Sequence, residues 1–313
     1  VQRGHVPGHV QVCLAHDLGH APFGHAGEEA LRQLLEKQGL DWNSNAHSLT
    51  VVEEIETQYC EHPGLNLTWA TREGLACHST QFDIPMEAGQ DFGYRQPSLE
   101  AQAANVADVI AYSTHDVEDA LAAGLLAVED LRELHIEIWD RSWEKAETEF
   151  GNAHPQDWWP GGNRDRLLAR RAHRHMIDLL IRDAVTEAAN RVSSSGVFTI
   201  DDARATETPL LAFSPTVANQ VDQLLTLMKQ RVYKSPLVAR QNYRASHILS
   251  HLFEAFVVDD RMLPEWIQEQ VRRGTSRPMA IARFLAGLTD RSAADLYAEL
   301  FEPSDRAMGH RIM

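Results

Sequence analysis

The stretch Val12–Glu28, VCLAHDLGHAPFGHAGE, limits what this chain can be more than any other part of it. An apolar helical run delivers the adjacent pair His16 and Asp17, and the Gly and Pro residues that follow end the helix there. His20, His25 and Glu28 are then held close by in the chain. Imidazole suits borderline divalent metals and carboxylate suits hard ones, so a neighbouring His and Asp at a helix end can share one ion and leave coordination positions open. That is the pattern of a catalytic site and not of a closed structural one. A bare His-Asp dipeptide is a weak signal that also fits a polar helix end with one buried histidine, and the combined pattern of the seventeen residues is a much stronger one.

The rest of the chain is read as helices. The first ten residues, VQRGHVPGHV, have no helical period and read as a loop. Residues 26–37 place Leu31, Leu34 and Leu35 on one side and charge on the other, and Gly39 closes that helix. Asn45 or Ser48 is the expected cap of a helix carrying Leu49, Val51, Val52 and Ile55, and Thr68 that of a helix through Ala70, Leu75 and Ala76. Residues 79–97 read as an exposed loop, with Phe82, Ile84, Phe92 and Tyr94 leaving room for a hairpin.

Residues 98–124 form the second organising element, with Ser98 as cap and Gly124 as stop. Asp108, Tyr112 and Asp116 fall at i, i+4 and i+8 and so share one helix face, while Ala104, Ala107, Ala111 and Ala120 suit close packing. An acidic helical segment covers 125–149, and a turn-rich insertion at 150–163 holds Trp158 and Trp159, an interface anchor or a local satellite core. Residues 164–192 read as one long helix with Leu167, Leu168, Ile177, Leu180, Ile181 and Val185 at helical spacing. Its Arg166, Arg170, Arg171, His173, Arg174 and His175 make either a solvated face or a patch for phosphate or an effector. After a break at Ser193–Gly196 come helices near 216–233, 240–258 and 278–287, and Thr289 starts a last one to Phe301. The expected fold class is all-α.

Bulk properties narrow the function. A formal charge of −16 argues against broad attraction to nucleic acid or anionic lipid, so a polyanionic substrate needs a local cluster of cations or metal. No apolar run is long enough to span a bilayer and nothing reads as a signal peptide. Cys13, Cys60 and Cys77 lack CxxC spacing, which points to neither a disulfide framework nor a thiolate zinc site and suits a reducing cytoplasm.

The combined pattern HDLGHAPFGHAGE resembles the HD-domain metal-dependent phosphohydrolases, and within them the deoxyguanosine triphosphate triphosphohydrolase (dGTPase) family. The stretches Asn45–Ile55, Gly64–His78 and ADVIAYSTHDVEDAL (residues 107–121) are similar to that family as well. The resemblance implies an HD-domain helical bundle with additional C-terminal helices, its phosphohydrolase core in 1–130 and a helical part in 131–313 packed on it or continuous with it as one domain. It implies His16, Asp17 and Asp108 as metal ligands, His20, His25 and Glu28 as the catalytic group, and Tyr112 and Asp116 as the residues that hold the sugar. A divalent ion follows, Mn²⁺ or Mg²⁺ first, with Fe, Co, Ni or Zn as other choices. The implied reaction is attack at the α-phosphorus of dGTP or another dNTP, giving deoxynucleoside and tripolyphosphate. A dNTP effector and a homo-oligomer, a hexamer in the family, are further implications. Two departures stand out. Cys77 occupies a position that is usually Lys, and relatives carry one more metal-binding histidine before the HD pair, so a preceding segment of the natural protein is expected to supply it, His5 and His9 lying in the wrong context. The alternatives are an HD phosphohydrolase of nucleoside monophosphates or cyclic nucleotides, and a catalytically silent nucleotide-binding regulator.

Overall fold

The computed structural model describes residues 8–80, 94–153 and 164–302, and among them are fourteen helices and no strand. The helices are α1 (Gly8–Ala15), α2 (His25–Glu36), α3 (Ser44–Thr50), α4 (Trp69–Ala76), α5 (Leu99–Ala122), α6 (Val128–Glu133) and α7 (Glu137–Ala153), followed by α8 (Arg164–Ser195), α9 (Ile200–Ala205), α10 (Pro215–Met228), α11 (Pro236–Val258), α12 (Glu265–Arg272), α13 (Arg277–Ala286) and α14 (Asp290–Phe301). They fall into two compact units, one made from described residues within 1–13 and 88–238, the other from those within 14–87 and 239–313. No described helix is long and apolar enough to cross a membrane.

In the unit of 14–87 and 239–313, the stripe Leu31, Leu34 and Leu35 of α2 shares a core with Ile248, Leu249, Leu252, Phe253 and Phe256 of α11, with Ile281 and Leu285 of α13, and with Leu296 of α14. The 3.6-residue period that announced these helices is the reason: each puts one apolar stripe on the common core. Gly39 takes φ +71 and closes α2, as its placement in the sequence suggested. Thr289 caps α14 through the Ser292 N–H.

Two sequence expectations are corrected here. Helix α1 begins at Gly8, so residues 8–10 are not loop, because extending an existing helix by a turn costs less than starting one. The cap of α3 is Asn43, whose side chain accepts the Ala46 N–H at 2.9 Å, and not Asn45 or Ser48. Those two residues lie inside α3, fully buried, and their side chains bond elsewhere.

In the unit of 1–13 and 88–238, α8 is the spine. Leu168, Ala172, Met176 and Leu180 recur every four residues, are fully buried, and share a core with Ile110 and Val117 of α5, Trp139 and Trp143 of α7, and Leu224 and Met228 of α10. Ser98 caps α5 and Gly124 follows its end at φ +69. The triple serine does not break α8. The hydroxyls of Ser193, Ser194 and Ser195 donate back to carbonyls of Ala189, Asn190 and Val192, and the stop is Gly196 at φ +68. Helices α9 and α12 were not foreseen; α9 is short and starts on a reciprocal cap between Thr199 and Asp202.

The basic cluster of α8 is largely matched by carboxylates within its own unit. Glu118 of α5 takes His173 at 3.0 Å and Arg170 at 3.6 Å, and Glu149 of α7 takes Arg171 at 2.7 Å and His175 at 3.0 Å. These pairs join three helices, so the cluster is structural before it is anything else. Trp158, Trp159 and the possible hairpin of Phe82, Ile84 and Phe92 lie outside the described residues.

His47 of α3 supplies a pH test of this fold. It is almost wholly buried against the Trp42 ring, centroids 4.9 Å apart, and burial, helped by the nearby Arg283 charge, lowers its pKa from 6.5 to about 4. Between those values the unfolded chain binds the extra proton and the folded chain does not, so stability present at pH 7 is lost as pH falls. Urea unfolding should show about 2 kcal/mol less stability at pH 5 than at pH 7 from this residue, a loss that His47→Gln removes. An equal acid loss in both proteins would contradict the assignment.

Candidate functional site

The local backbone explains why the histidines and carboxylates meet. Helix α1 runs directly into a tight 3₁₀ turn, His16–Gly19, which lies against α3. A Cβ on Gly19 would stand 2.1 Å from the Ser44 carbonyl oxygen and 2.3 Å from the Ser48 nitrogen, so only glycine fits this approach. The Gly19 N–H donates to Ser48 Oγ at 2.9 Å, and the Ser48 hydroxyl donates to the His16 carbonyl at 3.0 Å. One serine therefore closes both ends of the turn.

The chain then reverses through Phe23 at φ +68 and Gly24 at φ +57 to start α2 at His25. The left-handed Phe23 is strained, and its N–H is held by Asp290 Oδ1 at 2.7 Å, an anchor in α14. Gly27 is likewise obligatory, since a Cβ would come within 1.9 Å of the Pro22 carbonyl oxygen. This packing turns Glu28, in the first turn of α2, back toward the 3₁₀ turn.

The side chains alternate in charge along the resulting corner. Asp17 Oδ1 lies 3.1 Å from His16 Nε2 and 3.3 Å from His20 Nε2, and the other ring nitrogen of His20 meets Glu28 Oε1 at 2.8 Å. His25 Nδ1 lies 3.4 Å from Glu28 Oε2. Glu28 thus gives one oxygen to each of two histidines. Burial raises its pKa, but hydrogen bonds and charge from His20 and His25 outweigh that and hold the carboxyl at about 2, so it is an ionised acceptor throughout the physiological range. Exposure differs along the corner: side chains of Asp17 and His25 are 69% and 56% exposed and Glu28 only 15%, so the first two are open to solvent while Glu28 is largely enclosed.

His78, just past the end of α4, lies tilted against His16 with ring centroids 4.6 Å apart, and its carbonyl accepts from Asn45 Nδ2 at 2.7 Å. The imidazoles of His16 and His78 offer nitrogens within 4.8 Å of one another beside the Asp17 carboxylate, a donor set that fits a borderline divalent ion. His20, His25 and Glu28 form another group with ligand atoms inside the same distance. His16, Asp17, His20, His25 and Glu28, singled out in the sequence, are therefore brought together. Asp108, Tyr112 and Asp116 stand half-buried on α5 in the other unit, where Asp116 accepts a hydrogen bond from the Tyr233 hydroxyl. The sequence reading missed His78 and the true work of Asn45 and Ser48; the signal was a polar cluster, Asn45 to Ser48, immediately before the apolar run of α3.

Comparison with known proteins agrees with this geometry. The HD domain family model matches residues 10–113, and the phosphohydrolase-associated domain model matches 211–299. A deoxyguanosinetriphosphate triphosphohydrolase-like protein of Geobacter sulfurreducens is 36% identical over 94% of this chain and 73% of its own length. Its counterpart in Thiobacillus denitrificans is 39% identical over 90% of this chain and 72% of its own length, and that in an Azoarcus species 37% identical over 93% of this chain and 73% of its own length. This chain belongs to the dGTPase-like family of HD-domain phosphohydrolases. In this dGTPase-like chain the HD match takes in every residue of the corner described above, together with Asp108 and Tyr112, while Tyr233 lies in the phosphohydrolase-associated match.

Ser48 carries the prediction from this geometry. Ser48→Ala removes the acceptor for the Gly19 N–H and the donor to His16, both buried or partly so, at a cost of about 1–3 kcal/mol. Denaturant unfolding of the variant measures it, and a loss within a few tenths of a kcal/mol would show that the turn is held by other contacts.

Proposed function

We propose that this chain is a divalent-metal-dependent dNTP triphosphohydrolase that cleaves dGTP or another dNTP to deoxynucleoside and tripolyphosphate. The observation that carries the reading is the Glu28 carboxylate bound to both His20 and His25 directly beside the His16 and Asp17 pair, in a chain whose relatives bear the name deoxyguanosinetriphosphate triphosphohydrolase-like. His16 and Asp17, with His78 beside them and Asp108 added from the family resemblance, would hold the ion. The imidazoles in that set favour Mn²⁺ over Mg²⁺ and admit Fe, Co, Ni or Zn. A bound divalent ion supplies positive charge at the phosphate and lowers the pKa of water.

The chain's own groups do the rest. His25, with Nδ1 set on Glu28 and its ring exposed, transfers a proton through Nε2, and an imidazole titrates in the right range for that at neutral pH. Glu28 stays ionised and orients both rings, and His20 links it to Asp17. Tyr112 packs under the deoxyribose and Asp116 accepts from its 3′-hydroxyl. Residues 1–130 carry the chemistry and 131–313 support it. From the same resemblance we propose a homo-oligomer, a hexamer, with a dNTP effector, working in the cytoplasm.

The test is chromatography of products from each dNTP incubated with the protein and Mn²⁺ or Mg²⁺. Tripolyphosphate with free deoxynucleoside is the expected outcome, whereas orthophosphate released from nucleoside monophosphates would favour a different HD reaction. His25→Ala should lower kcat about a hundredfold or more and leave KM nearly unchanged. A variant with wild-type turnover would make His25 a loop anchor.

A further inference from the structure

The hydroxyl of Tyr233 donates a hydrogen bond to Asp116 Oδ2, joining positions 117 residues apart. The backbone around Tyr233 is unusual. Helix α10 does not stop at Met228 but widens into a π turn over Lys229–Tyr233, and the Ser235 N–H then closes on the Val232 carbonyl at 2.9 Å. A π turn inserts one residue into the helical register and so changes which side chain faces the core; such turns are rare and gather at functional sites. Here it buries Val232 and packs the Tyr233 ring against the core that Tyr112 also joins.

Burial, and then the Asp116 carboxylate, push the Tyr233 phenol well above its ordinary pKa, so the group keeps its proton and acts toward Asp116 as a donor. An aspartate on a helix face has several rotamers open to it, and a fixed donor on one oxygen selects among them. The second oxygen, Oδ1, is then aimed by the same bond. Preorganisation of this kind improves recognition by removing the cost of ordering the side chain when the ligand arrives.

We infer that Tyr233 is a positioning residue for the sugar: by holding Oδ2 of Asp116 it aims Oδ1 at the 3′-hydroxyl of a deoxynucleotide, so that recognition of that hydroxyl depends on Tyr233 as well as on Asp116. The inference rests on the reading of Asp116 as the acceptor for that hydroxyl.

The experiment compares kcat/KM for dGTP with that for 2′,3′-dideoxyGTP, which lacks only the 3′-hydroxyl. The wild-type ratio should be about tenfold or more, because a buried acceptor left without its donor is costly. Tyr233→Phe, which keeps the ring and loses the hydroxyl, should reduce the ratio to within about threefold, and Asp116→Ala should reduce it to about one. A wild-type ratio in Tyr233→Phe together with a lost ratio in Asp116→Ala overturns the role of Tyr233 and leaves Asp116 standing. A wild-type ratio in Asp116→Ala overturns the reading of Asp116 itself.

Discussion

The contact between Gly19 and α3 is the constraint on which the candidate site depends. A 3₁₀ turn has poor internal hydrogen bonding, so it persists only where neighbours complete it. Here the completion is a backbone approach that no side chain at position 19 would permit, locked by a serine that accepts from one end of the turn and donates to the other. With the turn fixed, His16, Asp17 and His20 are fixed too. The reversal at Phe23 and Gly24 then decides where Glu28 stands, and its strain is offset by the bond to Asp290 in α14.

Electrostatics in this protein are local. The chain carries a formal charge of −16, whereas the proposed reaction on a polyphosphate would need cationic surroundings. On α8, Arg170, Arg171, His173 and His175 are matched by Glu118 and Glu149 and serve packing between helices. In the HD corner the carboxylates are the orienting groups: Glu28, mostly buried and held near pKa 2, is compensated by the imidazoles of His20 and His25 and in turn fixes the direction of both rings. A buried carboxylate without such partners would cost several kcal/mol, so the two imidazoles are what makes the burial of Glu28 tolerable.

Much of this was legible in the sequence. Helices with one apolar stripe, such as α2 and α11, announce themselves by their period; α8 was legible as a helix, but of its expected stripe Leu168 and Leu180 are fully buried while Ile181 and Val185 are exposed, the core line running through Ala172 and Met176 instead. The five site residues between His16 and Glu28 are close in the chain, and their meeting needed only a turn and a helix start. What could not be read is what depends on backbone contacts between distant segments. Asn45 and Ser48 are good cap residues by composition, but a cap is a local role, and nothing in seven residues of sequence reveals that their partners are the His78 and His16 carbonyls. Likewise the π turn that sets Tyr233 on Asp116 has no period to show it, and the triple serine of α8 looks like a break because serine's hydroxyl competes with the helix, whereas here it bonds back within it.

The central claim, that this corner directs water to the α-phosphorus of a deoxynucleoside triphosphate, is tested most directly by isotope. Hydrolysis of dGTP in H₂¹⁸O followed by mass spectrometry of both products should place one ¹⁸O in tripolyphosphate and none in deoxyguanosine. Label in the deoxyguanosine hydroxyl, or in orthophosphate with dGDP as the other product, would contradict it.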